Sequence, residues 1–243
     1  MTPYITSLVL LFVAPAMAAS LALTNDPDTG GPGKFAAEEI RREAAARGMT
    51  LGEDAKATRV ALTIEKSAAA QGYSIRVQND GGRRVITVSG ADAAGAMYGG
   101  LDVAEAIRNG TLDALRDSEH KPHIAQRGIK FNIPLDLRTP SYTDSSDAAQ
   151  ANIPEMWERE FWTRFLDAMA RHRYNVLSLW SLHPFPSLVK VPEFPEVALN
   201  DVWRTRAMLD DSFSFSGTGF VRPAMLANHE VVKRISIEEK IEF

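Results

Sequence analysis

Residues 154–180, PEMWEREFWTRFLDAMARHRYNVLSLW, decide the fold of the second half of the chain, because a helical pattern passes directly into an extended one. Pro154 suits the first turn of a helix. Apolar residues at helical spacing predict a helix from Pro154 to His172; they are Trp157, Phe161, Phe165, Leu166 and Met169. The apolar segment that follows, Asn175–Trp180, predicts a β-strand.

A second strand is predicted upstream of this helix. Gly128–Ile133 is compact and apolar, and Pro134 ends it. The order of elements is strand, helix, strand, and the connection from the helix to the second strand is short. This order indicates a crossover unit with two parallel strands. Residues 181–234 then lack periodicity, which inside a compact domain indicates either a functional loop or elements that the pattern fails to reveal; we favour the functional loop. This loop leaves the carboxyl end of a parallel strand, where barrels and open sheets carry their sites.

The first half of the chain has a different pattern, with strands and helices that form a small α+β domain over residues 19–114. The Asn79–Gly82 segment predicts a tight hairpin turn, because Asn, Asp and Gly tolerate positive φ. A polar linker is expected at residues 115–126. The predicted strands are Leu21–Leu23, Val60–Ile64, Tyr73–Val77 and Arg84–Val88, and the predicted helices are Lys34–Arg47 and Ala91–Arg108.

The first 18 residues have the pattern of a secretory signal. Ile5–Ala14 is an uncharged apolar run, and Ala16–Ala18 supplies an Ala-x-Ala cleavage site. We expect cleavage before Ala19 and a secreted or periplasmic protein without stable membrane insertion. The alternative is an uncleaved anchor, although the run is shorter than the roughly 20 apolar residues of a membrane span.

Composition excludes several classes of function. The net charge of −4 gives no basic patch for nucleic acid. The chain has no cysteine, so it has no disulfide, thiolate metal site or cysteine nucleophile. His120 and His123 lie close together without a third ligand nearby, which favours a polar linker over a metal site. No cofactor is expected.

Three segments, in their order and spacing, resemble the two-domain layout of β-N-acetylhexosaminidases (glycoside hydrolase family 20) and α-glucuronidases. Gly90–Leu101 is similar to a helix of the small domain that precedes the barrel in those enzymes, Arg127–Asn132 to their first barrel strand, and His172–Leu177 to their second. The resemblance implies a non-catalytic α+β domain followed by a (β/α)8-type barrel that hydrolyses glycosidic bonds. Ser178–His183 departs from the family's Trp-His-rich tail, which leaves the sugar specificity open.

The barrel is expected to be incomplete, since a whole one takes about 250 residues. The capping box at Ser236–Glu239 predicts a helix, and the sequence ends before a C-cap, which indicates a fragment. Glycosidases need two carboxylates at the bond. Asp136, Asp144 and Asp147, after the first barrel strand, are more typical of loop acids. The catalytic pair is therefore expected beyond this sequence, and the 243 residues alone are expected to show no turnover.

Six residues are candidates for binding a carbohydrate substrate. Asn132 and Asp136 follow the first barrel strand, and Trp180 and His183 follow the second. Arg138 could bind a substrate carboxylate bidentately. By the resemblance, Arg127 is a ligand of sugar hydroxyls; the alternative is an ion pair at the strand start. A function of another class also stays open, namely a non-catalytic carbohydrate-binding or structural module on the cell surface.

Overall fold

The computed structural model describes residues 19–54, 56–66, 69–139, 147–181, 184–209 and 223–243. The predicted signal segment and the candidates Asp144 and His183 lie outside these residues. The chain divides into two compact units, one ending at Ala125 and the other beginning at Gln126. Both units contain helices and strands, so the fold is mixed α+β.

The first unit is a six-stranded sheet with two long helices. The order across the sheet is β2-β1-β3-β5-β4-β6. Neighbours from β2 to β5 run parallel, whereas β4 is antiparallel to both of its neighbours. The strands are β1 (Ser20–Asn25), β2 (Thr50–Leu51), β3 (Thr58–Ile64), β4 (Tyr73–Asp80), β5 (Arg83–Gly90) and β6 (Ser118–His120), and the helices are α1 (Gly30–Ala46) and α2 (Ala93–Arg108).

The predicted hairpin turn joins β4 to β5. Its two central residues, Gly81 and Gly82, have φ of 56° and 84°. Positive φ at both positions is the conformation of the two-residue turns that match the twist of antiparallel strands. The turn aligns Asp80 with Arg83 and sets the register of the whole pair.

Close packing of α2 explains two of its glycines. A Cβ on Gly99 would lie 2.5 Å from Val88 Cγ1 in the sheet, and one on Gly100 would lie 2.8 Å from Ala36 Cβ in α1. These glycines therefore serve the close packing of α2 against the sheet and against α1. The core buries Leu21, Ile40, Leu62, Ile86, Val88, Val103 and Ile107.

The segment predicted as a linker contributes a strand. Residues 118–120 form β6, which pairs with Tyr73–Ile75 at the sheet edge, and the His120 ring stacks on Tyr73 with centroids 4.8 Å apart. A sequence pattern does not reveal β6, because this strand is short and polar. It forms because the edge of β4 has backbone N–H and C=O groups available for pairing.

The second unit contains the predicted parallel pair, β7 (Gly128–Asn132) and β8 (Val176–Trp180), aligned from Gly128 opposite Val176 to Asn132 opposite Trp180. The connection between them includes helix α4 (Arg159–Arg171). The remaining elements are α3 (Asp147–Asn152), α5 (Phe185–Leu188), β9 (Asp201–Thr205), α6 (Pro223–Ala227), β10 (His229–Arg234) and α7 (Ile237–Glu242).

The helix predicted over residues 154–172 is divided at Glu158, whose backbone is extended. Pro154–Trp157 forms a short 3-10 helix and α4 begins at Arg159. The break turns Trp157 into the core, where its indole N–H donates to the carbonyl of Leu135 at 2.9 Å. A buried indole needs such a partner, so a tertiary contact overrides the helical pattern.

The prediction of an irregular loop over residues 181–234 is wrong in part. This stretch contains β9 and β10, which form an antiparallel pair. Val202 of β9 is buried with Ile133, Leu135 and Ile235, so the pair belongs to the core. The capping box of α7 is confirmed, because Ser236 and Glu239 bond to each other's backbone N–H groups.

Candidate functional site

The parallel strands β7 and β8 end side by side, and two predicted ligand residues meet there. Asn132 lies opposite Trp180 in the register, and the backbone N–H of Ile133 donates to the carbonyl of Trp180 at 2.9 Å. Directly paired residues project from the same face of a sheet. Both side chains are half-buried, so the end of the pair presents an amide and an indole together.

Lys130 is a third residue of this strand-end group, which sequence reasoning missed. It precedes Asn132 by two residues and therefore shares its face of the sheet. Its ammonium lies 4.8 Å from the centroid of the Trp180 ring, within the range of a cation–π contact. The signal in the sequence was the alternation of side chains along β7, which places residues i and i+2 together.

Arg127 lies at the opposite end of β7 and holds the backbone there. Its own N–H donates to Asn175 Oδ1 at 2.8 Å, and its Nε donates to the carbonyl of Arg173 at 2.8 Å. Arg173 has a φ of 60°, so Arg127 braces a left-handed turn between α4 and β8. Asn132 lies five positions further along the chain, a distance of about 16 Å in a strand. The predicted contact of Arg127 with a sugar stays a prediction.

Asp136 is fully buried and its carboxylate is held by the protein. It accepts hydrogen bonds from the backbone N–H and the guanidinium of Arg138, at 2.8 to 2.9 Å. The backbone N–H of Trp203, in β9, donates to it at 2.9 Å. Asp136 therefore joins the segment after β7 to β9.

Arg138 lies between two carboxylates. Besides Asp136 it binds Asp201 Oδ1 at 2.6 Å, and its guanidinium stacks 4.2 Å from the Trp203 ring centroid. Burial alone would lower the pKa of Arg138, but the two carboxylates raise it above its ordinary value. Burial likewise opposes the charge on Asp201, yet bonds from Trp203 and Arg138 hold the pKa of Asp201 below its usual range.

Lys240, on α7, completes this buried charge network. Its side chain is almost fully buried and its ammonium donates to the carbonyls of Leu199 and Asp201 at 2.8 Å each. Burial lowers the pKa of Lys240 to about 8, against partial compensation from Asp136 and Asp201. The positive charges of Arg138 and Lys240 balance the negative charges of Asp136 and Asp201. Such pairing is the usual condition for burying charged groups.

The network engages Asp136 and Arg138 inside the protein. The Nε and Nη2 edge of Arg138, which could bind a substrate carboxylate bidentately, already holds Asp136, so the predicted ligand roles of these two residues stay predictions without geometric support. Asp147 is also engaged, because its Oδ1 accepts from the backbone N–H of Leu209 at 2.8 Å.

Neither a metal centre nor a membrane span is visible in the part of the chain that the structure describes. Its His, Asp and Glu side chains nowhere gather in a group of three that could hold a metal ion. Among the same residues, no helix combines the length and the apolar character needed to cross a bilayer.

Comparison with known proteins finds likeness in structure alone. No protein-family profile matches the sequence, and no characterised protein matches it in sequence. A solved GH138 enzyme targeting pectin rhamnogalacturonan II is similar over 72% of this chain and 26% of its own, with 21% identity and a TM-score of 0.57.

Two further solved structures are glycoside hydrolases at lower similarity. A GH115 4-O-methyl-α-glucuronidase has 15% identity and a TM-score of 0.46, covering 67% of this chain and 25% of its own. A GH20 exo-β-N-acetylglucosaminidase from Vibrio harveyi has 12% identity and a TM-score of 0.39, covering 67% and 22%. The fold of this chain is therefore similar to that of part of the GH138 enzyme, and the chain spans about a quarter of the length of these solved structures.

The buried ammonium of Lys240 predicts a specific pH dependence. Between the folded pKa of about 8 and the ordinary value of 10.5, the unfolded chain binds more protons at this residue than the folded chain. The free energy of unfolding should therefore rise with pH across this window, by up to about 3 kcal/mol, relative to Lys240→Met. Chemical denaturation from pH 7 to pH 11 measures the difference.

The same substitution at exposed Lys34 controls for the loss of a surface lysine. The contrary result is that the unsubstituted chain and Lys240→Met differ in free energy of unfolding by the same amount at every pH. That result would show that burial does not destabilise the ammonium of Lys240.

Proposed function

We propose that this chain is part of an exported glycoside hydrolase. In this proposal the first unit, which ends at Ala125 and includes β6, is a non-catalytic α+β domain, and the second unit begins a (β/α)8-type barrel. The observation that carries the proposal is the meeting of Asn132 and Trp180 at the carboxyl end of two parallel strands. Barrel enzymes build their active sites at that end.

The strand-end group of Lys130, Asn132 and Trp180 has the chemistry to bind a sugar. An indole offers a flat apolar face with a negative quadrupole, against which the C–H groups of a sugar ring can pack. The amide of Asn132 both donates and accepts, as hydroxyl groups require, and the ammonium of Lys130 donates. We assign substrate binding to this group, with His183 as a further candidate after β8.

Catalysis requires an acid and a second carboxylate on either side of the glycosidic bond. Among the residues that the structure describes, three candidate carboxylates have partners within the protein: Asp136 and Asp201 bind Arg138, and Asp147 accepts from the backbone N–H of Leu209. We therefore propose that the catalytic pair is supplied by sequence beyond these 243 residues.

The purified 243-residue chain should not hydrolyse aryl glycosides, since it supplies binding groups without the acid–nucleophile pair. The matched test compares it with the chain extended by whatever residues its gene encodes after Phe243, in a release assay over α- and β-linked substrates. Hydrolysis by the 243 residues alone would contradict the location of the pair. A stop codon directly after Phe243 would favour the alternative, a non-catalytic binding or structural module.

Replacing Trp180 by Ala should weaken oligosaccharide binding about tenfold, which corresponds to about 1.4 kcal/mol, because the stacking face is lost. The dissociation constants are measured by titrating the chain with neutral and uronic-acid oligosaccharides, with calorimetry or NMR as the readout. Phe194→Ala is the control, since Phe194 is an exposed aromatic of the same unit outside the strand-end group. Equal affinities of Trp180→Ala and the unsubstituted chain would remove Trp180 from the site.

Export is proposed from the apolar run Ile5–Ala14 and the Ala-x-Ala site that follows it. Expressed with its first 18 residues in a bacterial host with an outer membrane, the protein should appear in the periplasm or medium with Ala19 at its amino terminus. N-terminal sequencing of the recovered protein checks this. Recovery of a membrane-bound form that keeps Met1 would support the uncleaved anchor instead.

A further inference from the structure

The sheet of the first unit has one face that its two helices leave uncovered. Ile75, Ile86 and Val88 belong to the core with the helices. Side chains alternate along each strand, so the neighbouring Ser74 and Ser89 project from the opposite face. The register aligns Ser74 with Ser89 on β5 and with Glu119 on β6, which gathers these polar groups on three adjacent strands.

A cavity of about 520 Å³ lies at this place, between the ends of β3, β4 and β6. Its volume falls within the roughly 300–1,000 Å³ of small-molecule sites. The residues that line it include Glu65, Lys66, Ser74, Arg76, Ser89 and Glu119.

The charged groups of the cavity nearly cancel. Arg76 is ion-paired with Glu119, and its Nη1 donates to the carbonyl of Ser118 at 3.1 Å, so its head group is held in place. Glu65, Lys66 and Lys121 are exposed at the rim, so the described lining carries three cations and two carboxylates, a net charge of +1. Polyanions are attracted by a field of one sign, which this balance does not create.

The hydroxyl groups of the cavity suit a ligand that both donates and accepts. Ser89 Oγ lies 3.3 Å from Thr63 Oγ1, which itself bonds to the carbonyl of Val88. Serine hydroxyls and the Arg76–Glu119 pair together offer donors and acceptors at short spacing. A neutral, hydroxyl-rich ring has the matching pattern, whereas an apolar ligand would form no hydrogen bond with the remaining donors and acceptors of these groups.

Next to the cavity wall at Gly72, the backbone of Gln71 is strained. Gln71 has a φ of 61°, a conformation that costs a residue with a side chain about 1 kcal/mol or more. Asp92 holds it there: one carboxylate oxygen accepts from the N–H of Gln71 at 2.7 Å and the other caps α2 at Gly95. A Cβ on Gly72 would lie 2.8 Å from the carbonyl oxygen of Ala69, so only glycine fits.

We infer that this cavity is a second carbohydrate-binding site, which takes one or two rings of a neutral oligosaccharide. The inference goes beyond the proposed function, which gives the first unit no role in binding. The hydrogen bond from Gln71 to Asp92 fixes the backbone beside Gly72 in the absence of a ligand. A binding surface that is already ordered loses less conformational entropy when a ligand binds. The site would hold a polysaccharide substrate independently of the strand-end group of the second unit.

Titration of the isotope-labelled full chain with neutral tetrasaccharides of xylose, glucose, mannose and galactose tests the inference. The amide NMR signals of residues 72–76, 89 and 118–121 should shift when at least one of these sugars is added. The dissociation constant should lie below about 10 mM, which corresponds to a binding free energy of the order of 3 kcal/mol. Galacturonic acid tetrasaccharide is the anionic comparator and should bind there no more tightly.

Ser74→Tyr, which fills the cavity, should weaken binding at these residues about tenfold or more. Gln78→Tyr is the matched control, because Gln78 lies on the same face of the same strand outside the cavity; it should change affinity less than twofold. Tyrosine favours strands, and thermal unfolding checks that both variants fold. Should Ser74→Tyr not fold, Ser74→Ala should still weaken binding several-fold by removing the hydroxyl.

Trp180→Ala separates this inference from the proposed function. It should leave the shifts in the first unit unchanged, even where binding at the strand-end group is lost. The inference is overturned if no neutral sugar shifts these signals, if folded Ser74→Tyr and Ser74→Ala both bind as the unsubstituted chain does, or if only the anionic sugar binds. It is equally overturned if Trp180→Ala removes every shift.

Discussion

The second unit depends on one buried carboxylate. Asp136 receives bonds from Arg138 and from the backbone N–H of Trp203, so it fastens the segment after β7 to a strand almost seventy residues later in the chain. Arg138 and Asp201 continue the connection, and Lys240 extends it to α7. Removing one partner of such a cluster leaves an uncompensated buried charge, which costs about 3–5 kcal/mol. The cluster therefore determines where β9 and α7 can pack.

Much of the local structure could be predicted because short-range chemistry determines it. Glycines at 81 and 82 impose the hairpin, and Ser236 with Glu239 starts the last helix. Apolar periodicity located β7, α4 and β8. The break at Glu158 and the strands β6 and β9 could not be predicted, since each depends on a distant partner: Leu135 for Trp157, β4 for β6, and β10 with Asp136 for β9.

The candidate site shows the same division. Asn132 and Trp180 could be named because the ends of parallel strands are functional positions in barrels, and the register brings them together. Asp136 and Arg138 have equally suggestive chemistry in the sequence. Their engagement with Asp201 and Trp203 depends on contacts across more than sixty residues, which no local pattern contains.

Asn132 and Asp136, four positions apart in one segment, differ in whether their side chains stay accessible or are held inside the protein. Asn132 is still part of β7, half-buried beside Trp180 and Lys130, so a ligand can reach its amide. Asp136 lies beyond the strand, where it is fully buried and four hydrogen bonds, three from Arg138 and one from β9, satisfy its oxygens. Burial and these bonds thus make an acid that resembles a substrate ligand into a link between the segment after β7 and β9. In the proposed function, the binding role therefore falls to the side chains that remain on the strands themselves.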